Sequence, residues 1–466
     1  MKPEIKNANS NLMLEELQET IIAIESLEEY YLNSIKNVQE MKLKIEAQYE
    51  IGLLIDDKLS EAIALRDINA VQNAIKELTD MTLSNGIQIS EYISINCEVE
   101  DEDEDEFANI SYSIKQGSMV DPRFVDPKNA RREYNKIEQY EDILVSSTLS
   151  NVIIIFERYL AKVYEALILV NPKKYFENQK IDIASIFNKN VKQIVIECVK
   201  KEVESNMFDS MKTLEVISQK EGLNINRYRN IQDDFEEIYY RRNLYIHNNG
   251  VVNSIYLSNI KDKYKKGITI NKKLVTDEIY LRNAINMLYK IVCTLFYETQ
   301  LAYNPKYENW HISLGDIGFA LLQNKNYDVA EQIYFILSSY KQLCFRDKAM
   351  YRINYINALK QQEKTELVKK ELSELDVSIA TDEYKIAKLC LEDKNEEVYE
   401  AISKNYPEPF TANLIRDWPL FINFRETEYY TLFVKEHCEE FGSFVFEFEE
   451  LTINDAEKNE YIESDK

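Results

Sequence analysis

The chain has 466 residues and a formal net charge of −25 at pH 7, which allows about three domains with sizeable cores and excludes a uniformly basic nucleic-acid binder. Nine glycines and eight prolines leave few helix breakers, so the composition predicts an almost wholly α-helical protein. The six cysteines, Cys97, Cys198, Cys293, Cys344, Cys390 and Cys438, form no C-x-x-C pair; they read as reduced thiols of a cytoplasmic protein with no metal site, and neither a secretion signal nor a membrane span is expected.

Residues 1–140 read as an N-terminal helical region. Asn11 to Ser84 predicts two or three helices, with Leu12, Leu17, Ile21, Ile24 and Leu27 starting an apolar stripe that resumes at Leu53 after Gly52. The turn signal Asn85-Gly86 follows, and Ile87 to Ile95 fits either a short strand or a helix. The acidic run Glu98 to Glu106 repels itself and predicts an extended loop; its functional counterpart is a mimic of a nucleic-acid backbone lying over a basic groove. Pro122 and Pro127 fall in a turn-rich link, and a new helix is expected from about Lys128. Over Ser146 to Val170 the chain is apolar on most sides, which predicts the central buried helix of a bundle, interrupted by Glu157 and Arg158 and ended by Asn171-Pro172. More helix is expected over 183–220.

The stretch Tyr239-Tyr240-Arg241-Arg242-Asn243-Leu244-Tyr245-Ile246-His247-Asn248-Asn249-Gly250 contains the first of only three histidines. Ile231, Phe235, Ile238 and Tyr239 form one helical face, and Arg242 falls in the middle of it. A guanidinium among apolar side chains needs a partner, an interface or a ligand. Glu157, Glu236 and Glu237 are the candidate partners. Asn248-Asn249-Gly250 supplies residues that take the left-handed conformation ending a helix, which places His247 near that end. On an ideal helix Arg242 and His247 point about 140° apart, so they meet only if the helix loosens or if a second copy shares the site. Arg241 points about 100° from Arg242 and reads as a solvated or ligand-facing neighbour. Lys261, Lys263, Lys265, Lys266, Lys272 and Lys273 follow, the densest basic cluster in the chain. Residues 141–300 carry 23 Lys and Arg against 20 Asp and Glu, so the motif lies in the one region that is not acidic. A helix from Thr276 to about Thr299 closes this part.

Residues 308–448 change character. Leu314, Ile317, Gly318, Leu321, Tyr327, Ala330 and Tyr334 have the spacing of a tetratricopeptide-type hairpin, with small Gly318 and Ala330 where two helices would cross. Similar patterns near Ile353 and Ala387 predict a short array of degenerate repeats, capped by Trp418-Pro419, Phe421 and Phe424. Such an array offers a face for a protein partner or trigger. The acidic tail, 449–466, is expected to be disordered.

The segment Arg242-Asn243-x-x-x-His247, with the apolar run before it and the helix stop after it, resembles the signature of the HEPN superfamily over about Ser146 to Gln300. The resemblance implies an all-α fold in which a HEPN-like helical bundle at 141–300 dimerises, flanked by the N-terminal helices and the repeat array. It also implies metal-independent cleavage of transfer or messenger RNA by two facing motifs, without a cofactor, in a toxin-like effector of stress or anti-phage defence. His247 would deprotonate the ribose 2′-hydroxyl and Arg242 would hold the phosphate. Asn243 would orient one of them, Glu157 would support Arg242, and Arg241, Lys261, Lys263, Lys265 and Lys266 would contact RNA. The competing expectation is a non-catalytic scaffold in which the bundle dimerises and the repeats recruit a partner. A metal-dependent nuclease finds no histidine-cysteine cluster and no phosphate loop in the sequence.

Overall fold

The computed structural model describes residues 3–64, 68–82, 88–102, 105–114, 127–176, 190–227, 229–303, 309–377, 381–408 and 410–437. The fold is all-α with one β-hairpin. Helix α1 (Pro3–Ala64) runs unbroken through Gly52, and α2 (Ile68–Asp80) follows it. One glycine inside a helix costs only about 1 kcal/mol relative to alanine, and the packing of α1 outweighs it. Leu17, Ile21, Ile24, Leu27 and Tyr31 are buried as the stripe predicts, while Met13 takes the inward place and Leu12 stays exposed. Their partner is α3 (Pro127–Val170), which lies antiparallel: Lys42 meets Glu141 at 3.3 Å and Lys162 meets Glu16 at 3.1 Å. The boundary expected between 140 and 141 therefore falls inside one helix, and α1 and the bundle share a core.

The acidic run is not a loop where it is described. Glu98–Glu102 belongs to β1 (Ile93–Glu102), and Asp105 and Glu106 belong to β2 (Asp105–Ile114). The register pairs Ile93 with Ile114, Ile95 with Tyr112, Cys97 with Ile110 and Val99 with Ala108, so apolar residues occupy the matched positions. The same register sets Asp101 opposite Glu106 and Glu102 opposite Asp105. Asn85-Gly86, the link around Pro122 and the tail 449–466 lie outside the described residues, as do the first residues of the helix expected from 183.

Helices α4 (Val191–Asn206), α5 (Ser210–Glu221), α6 (Ile231–Asn248) and α7 (Glu278–Tyr303) complete the bundle. The helix buried on every side is α7 rather than the 146–170 segment alone: all residues from Leu288 to Gln300 are buried, whereas Ile154 on α3 is 54% exposed. The reason is position, since α7 packs on α1, α3 and α6 and also on the first repeat hairpin. Glu298, buried in α7, accepts two hydrogen bonds from Arg227, at 2.7 and 2.8 Å, and one from the Asn224 N–H at 3.0 Å, fixing the segment that leads into α6.

Three helical hairpins follow among the described residues: α8 (Trp310–Gln323) with α9 (Tyr327–Ser338), α10 (Phe345–Lys360) with α11 (Thr365–Glu374), and α12 (Asp382–Leu391) with α13 (Asn395–Asn405). One turn recurs in all three. Lys325, Glu363 and Asp393 take φ of 61°, 57° and 55°, and the next N–H reaches back to a leucine carbonyl, Leu321, Leu359 or Leu389, at 2.8, 3.1 and 3.1 Å. This is the six-residue closure that ends a helix through a left-handed residue. Counted from these turns, the positions equivalent to Gly318 are Ile356 and Ile386, not Ile353 and Ala387; the repeats differ in length, which shifts a fixed-period count. Gly318 is needed for the crossing, because a Cβ there would lie 3.0 Å from the Tyr334 ring. Trp418, Phe421 and Phe424 are buried beside Phe410 and cap the stack, with the Trp418 indole donating to Asn354 Oδ1 at 3.1 Å.

Candidate functional site

The motif occupies the second half of α6, which begins with Asp233 and Asp234 in its first turn, where acidic residues suit the helix dipole. The helix is regular to Asn248. Asn249 (φ 49°) and Gly250 (φ 73°) then take the left-handed conformation, and both N–H groups return to the Leu244 carbonyl. Gly250 is required twice over, by its φ and because a Cβ would meet the Tyr245 ring at 3.0 Å. From here the chain folds back: Val251 bridges Lys273, and the Leu274 N–H donates to the Gly250 carbonyl at 2.9 Å. Leu244, Val252, Tyr256, Ile260 and Leu274 form a small separate core under this loop and clamp it to the end of α6.

Arg242 is half-buried and only partly committed. Its Nη1 donates to Asn243 Oδ1 at 3.0 Å, its Nη2 lies 3.6 Å from Glu157 Oε1, and its Nε is buried with no hydrogen-bond partner. At 3.6 Å the carboxylate forms an ion pair but not a hydrogen bond. The guanidinium also lies 5.6 Å from the centre of the Tyr239 ring. Partial burial pushes the Glu157 carboxyl up, and the Arg242 charge opposes that shift only in part. Asn243 and Glu157 thus stand where they can orient Arg242. His247 is exposed and makes no hydrogen bond among the described residues. Because α6 does not loosen, Arg242 and His247 of one chain face about 140° apart and do not form a single site by themselves.

Arg241 departs from its expected place. Instead of facing solvent it is 9% exposed and bound on all sides. Its Nε donates to Glu237 at 2.9 Å, its Nη1 to the Val275 carbonyl at 3.2 Å and to Thr276 Oγ1 at 3.3 Å, and it sits 3.9 Å from the Tyr280 ring centre. Glu237, itself buried, also accepts from the Tyr256 hydroxyl at 2.5 Å and the Tyr280 hydroxyl at 2.6 Å. Glu237 therefore pairs with Arg241 and not with Arg242. The i,i+4 spacing of Glu237 and Arg241 was the available signal for this strut, whereas Tyr256 and Tyr280 carry no local one.

The basic cluster is also rearranged. Lys261 and Lys263 pair with Asp233 and Asp234, about 20 Å along the helix from His247 by its rise per residue. Lys265 pairs with Asp262 at 2.9 Å, and Lys266 has no ion pair among the described residues. Lys273, joined to the end of α6 through Val251, pairs with Asp142 on α3 at 2.7 Å. Lys261 and Lys263 thus stand at the start of α6, whereas Lys273 stands at its end beside the turn that follows His247, because the loop folds back along the helix. Exposed apolar side chains do accompany the motif. Ile246, about 40° from Arg242 around α6, is 50% exposed, and Ile143 and Ile154 lie exposed on the side of α3 that carries Glu157.

Among the described residues no group of three or more His, Cys, Asp or Glu side chains is placed to hold a metal ion, and no helix is long and apolar enough to cross a membrane. No family model, curated protein or solved structure matches the chain.

Proposed function

We propose that the chain is a metal-independent endoribonuclease of the HEPN kind that acts on RNA as a homodimer through its helical bundle. The observation that carries this reading is the contrast within one helix: Arg242 is held by Asn243 and Glu157 with bonding capacity left over, and His247 stands exposed at the helix end. A second copy brings the His247 of one protomer to the Arg242 of the other, which answers the angular separation within a single chain. The exposed Ile143, Ile154 and Ile246 supply the apolar surface for that association.

His247 takes the proton of the ribose 2′-hydroxyl, and the oxygen attacks the adjacent phosphorus. The P–O5′ bond breaks and the leaving 5′-oxygen takes up a proton from water, giving a 2′,3′-cyclic phosphate and a 5′-hydroxyl, while His247 later returns its proton to solvent. Arg242 neutralises charge developing on the phosphoryl oxygens. The ion pairs of Lys261 and Lys263 are exposed and weak, so those lysines can exchange their aspartates for RNA phosphates. The resemblance implies a toxin-like role in infected or stressed cells, with the repeat array receiving the signal. The competing reading, a dimerising scaffold, is favoured by one observation, the failure of Arg242 and His247 to converge in one chain. Incubation of the wild type and the His247→Ala protein with total RNA in EDTA separates the two. The ribonuclease predicts cleavage by the wild type alone, with cyclic phosphate ends; cleavage retained by His247→Ala refutes it.

A further inference from the structure

The first helices of the three hairpins, α8, α10 and α12, together with the cap, enclose an open groove of about 630 Å³. Its floor is aromatic, with Tyr334, Tyr351, Tyr384 and Trp418 among the lining residues, and Gly315 lets Tyr351 cross close to α8, since a Cβ there would lie 2.8 Å from its ring. Ile312 at the lining is 46% exposed, and Phe345, in edge contact with Tyr384, is 55% exposed. Apolar side chains of that size left open along a concave face mark a surface for a ligand.

The charges identify the ligand. Asp316, Asp347 and Glu383 line the groove against a single cation, Arg346. Neither Asp316, Glu383 nor Arg346 forms an ion pair among the described residues, and Asp347 Oδ2 lies 4.0 Å from His311 Nε2. Carboxylates without a cationic partner that share the groove with the Tyr351 and Tyr384 rings suit a cation, which gains from both the charges and the rings. The chain's own tail is the wrong occupant, because 449–466 carries seven Asp and Glu against two Lys.

We propose that this groove binds an extended segment of a partner protein, placing an arginine or lysine among Asp316, Asp347 and Glu383 and a bulky apolar side chain on the aromatic floor. The inference is independent of the ribonuclease reading, since either can fail alone.

The test is to pan a phage library of random dodecapeptides on the full-length protein and to measure a selected, fluorescein-labelled peptide by anisotropy. Selected peptides are expected to place Arg or Lys beside Leu, Ile or Phe. They should bind the Asp316→Asn/Asp347→Asn/Glu383→Gln protein at least about tenfold more weakly, with millimolar spermine failing to displace them from the wild type. Asp316 is exposed, so Asp316→Asn alone serves if the triple variant misfolds, and a thermal melt checks each protein. Selection of peptides without basic residues, failure to select any, equal binding by the folded variant, or displacement by spermine overturns the proposal.

Discussion

Adjacent arginines on α6 make opposite predictions. Replacing Arg241 by Met removes the cation that faces the buried Glu237 and leaves the carboxylate with only the Tyr256 and Tyr280 hydroxyls. Breaking a buried pair in this way costs about 3–5 kcal/mol, which lowers a bundle-sized melting transition by about 6–20 °C. Arg242→Met removes an ion pair at 3.6 Å whose Glu157 side chain is 31% exposed, worth about 0–1 kcal/mol after solvent screening. The assay is thermal unfolding followed by circular dichroism, with amide exchange over 231–248 to locate the loss, and RNA cleavage measured on the same samples. Arg241→Met should lose stability and exchange protection. Arg242→Met should melt like the wild type but lose about 10²–10³-fold in cleavage. A stable Arg241→Met protein would refute the strut, and an active Arg242→Met protein would refute the role given to Arg242.

Three further outcomes follow from other contacts. Gly318→Val presses against Tyr334 and Ile333 and should destabilise the repeat array by about 1–3 kcal/mol, seen as a lower urea midpoint; an unchanged midpoint means the hairpin crossing is looser than described. Burial pushes the Glu331 carboxyl up, but Lys364, Arg229 and Gln362 outweigh burial and hold it below the ordinary glutamate range. Its stabilisation is therefore present at neutral pH and lost as pH falls through that depressed value, so Glu331→Gln should be less stable at pH 7 and flatter in acid; identical acid profiles would contradict this. Ile154→Glu places a charge on the proposed apolar contact and should shift sedimentation from dimer to monomer and abolish cleavage, whereas an active monomer would remove the dimer from the mechanism.

Periodicity made the helices legible, because stripes such as Leu17 to Leu27 on α1 and the apolar run before Arg242 state which face is buried. It misjudged the acidic run, which pairs as β1 and β2 with apolar residues at matched register positions. At the motif, the helix stop and the Glu157 contact were readable because glycine, asparagine and an interrupted apolar run are local signals. The burial of Arg241 was not, since Thr276 and Tyr280 reach it from more than thirty residues away along the chain. The lysines looked like one patch beside His247, but pairing with Asp233 and Asp234 is a product of how the loop folds back. Repeat length was blurred for a similar reason: the turns at Lys325, Glu363 and Asp393 use no glycine and leave no mark in composition.

The most direct measurement is cleavage of total RNA in EDTA by four samples: the wild type, Arg242→Ala, His247→Ala, and an equimolar mixture of the two variants. If Arg242 of one protomer works with His247 of its partner, each variant alone is inactive. Half of the mixed dimers then carry one intact pair, and about a quarter of the wild-type rate returns. A mixture as inactive as its components, beside an active wild type, would contradict a site shared between protomers, and cleavage by His247→Ala alone would contradict the ribonuclease itself.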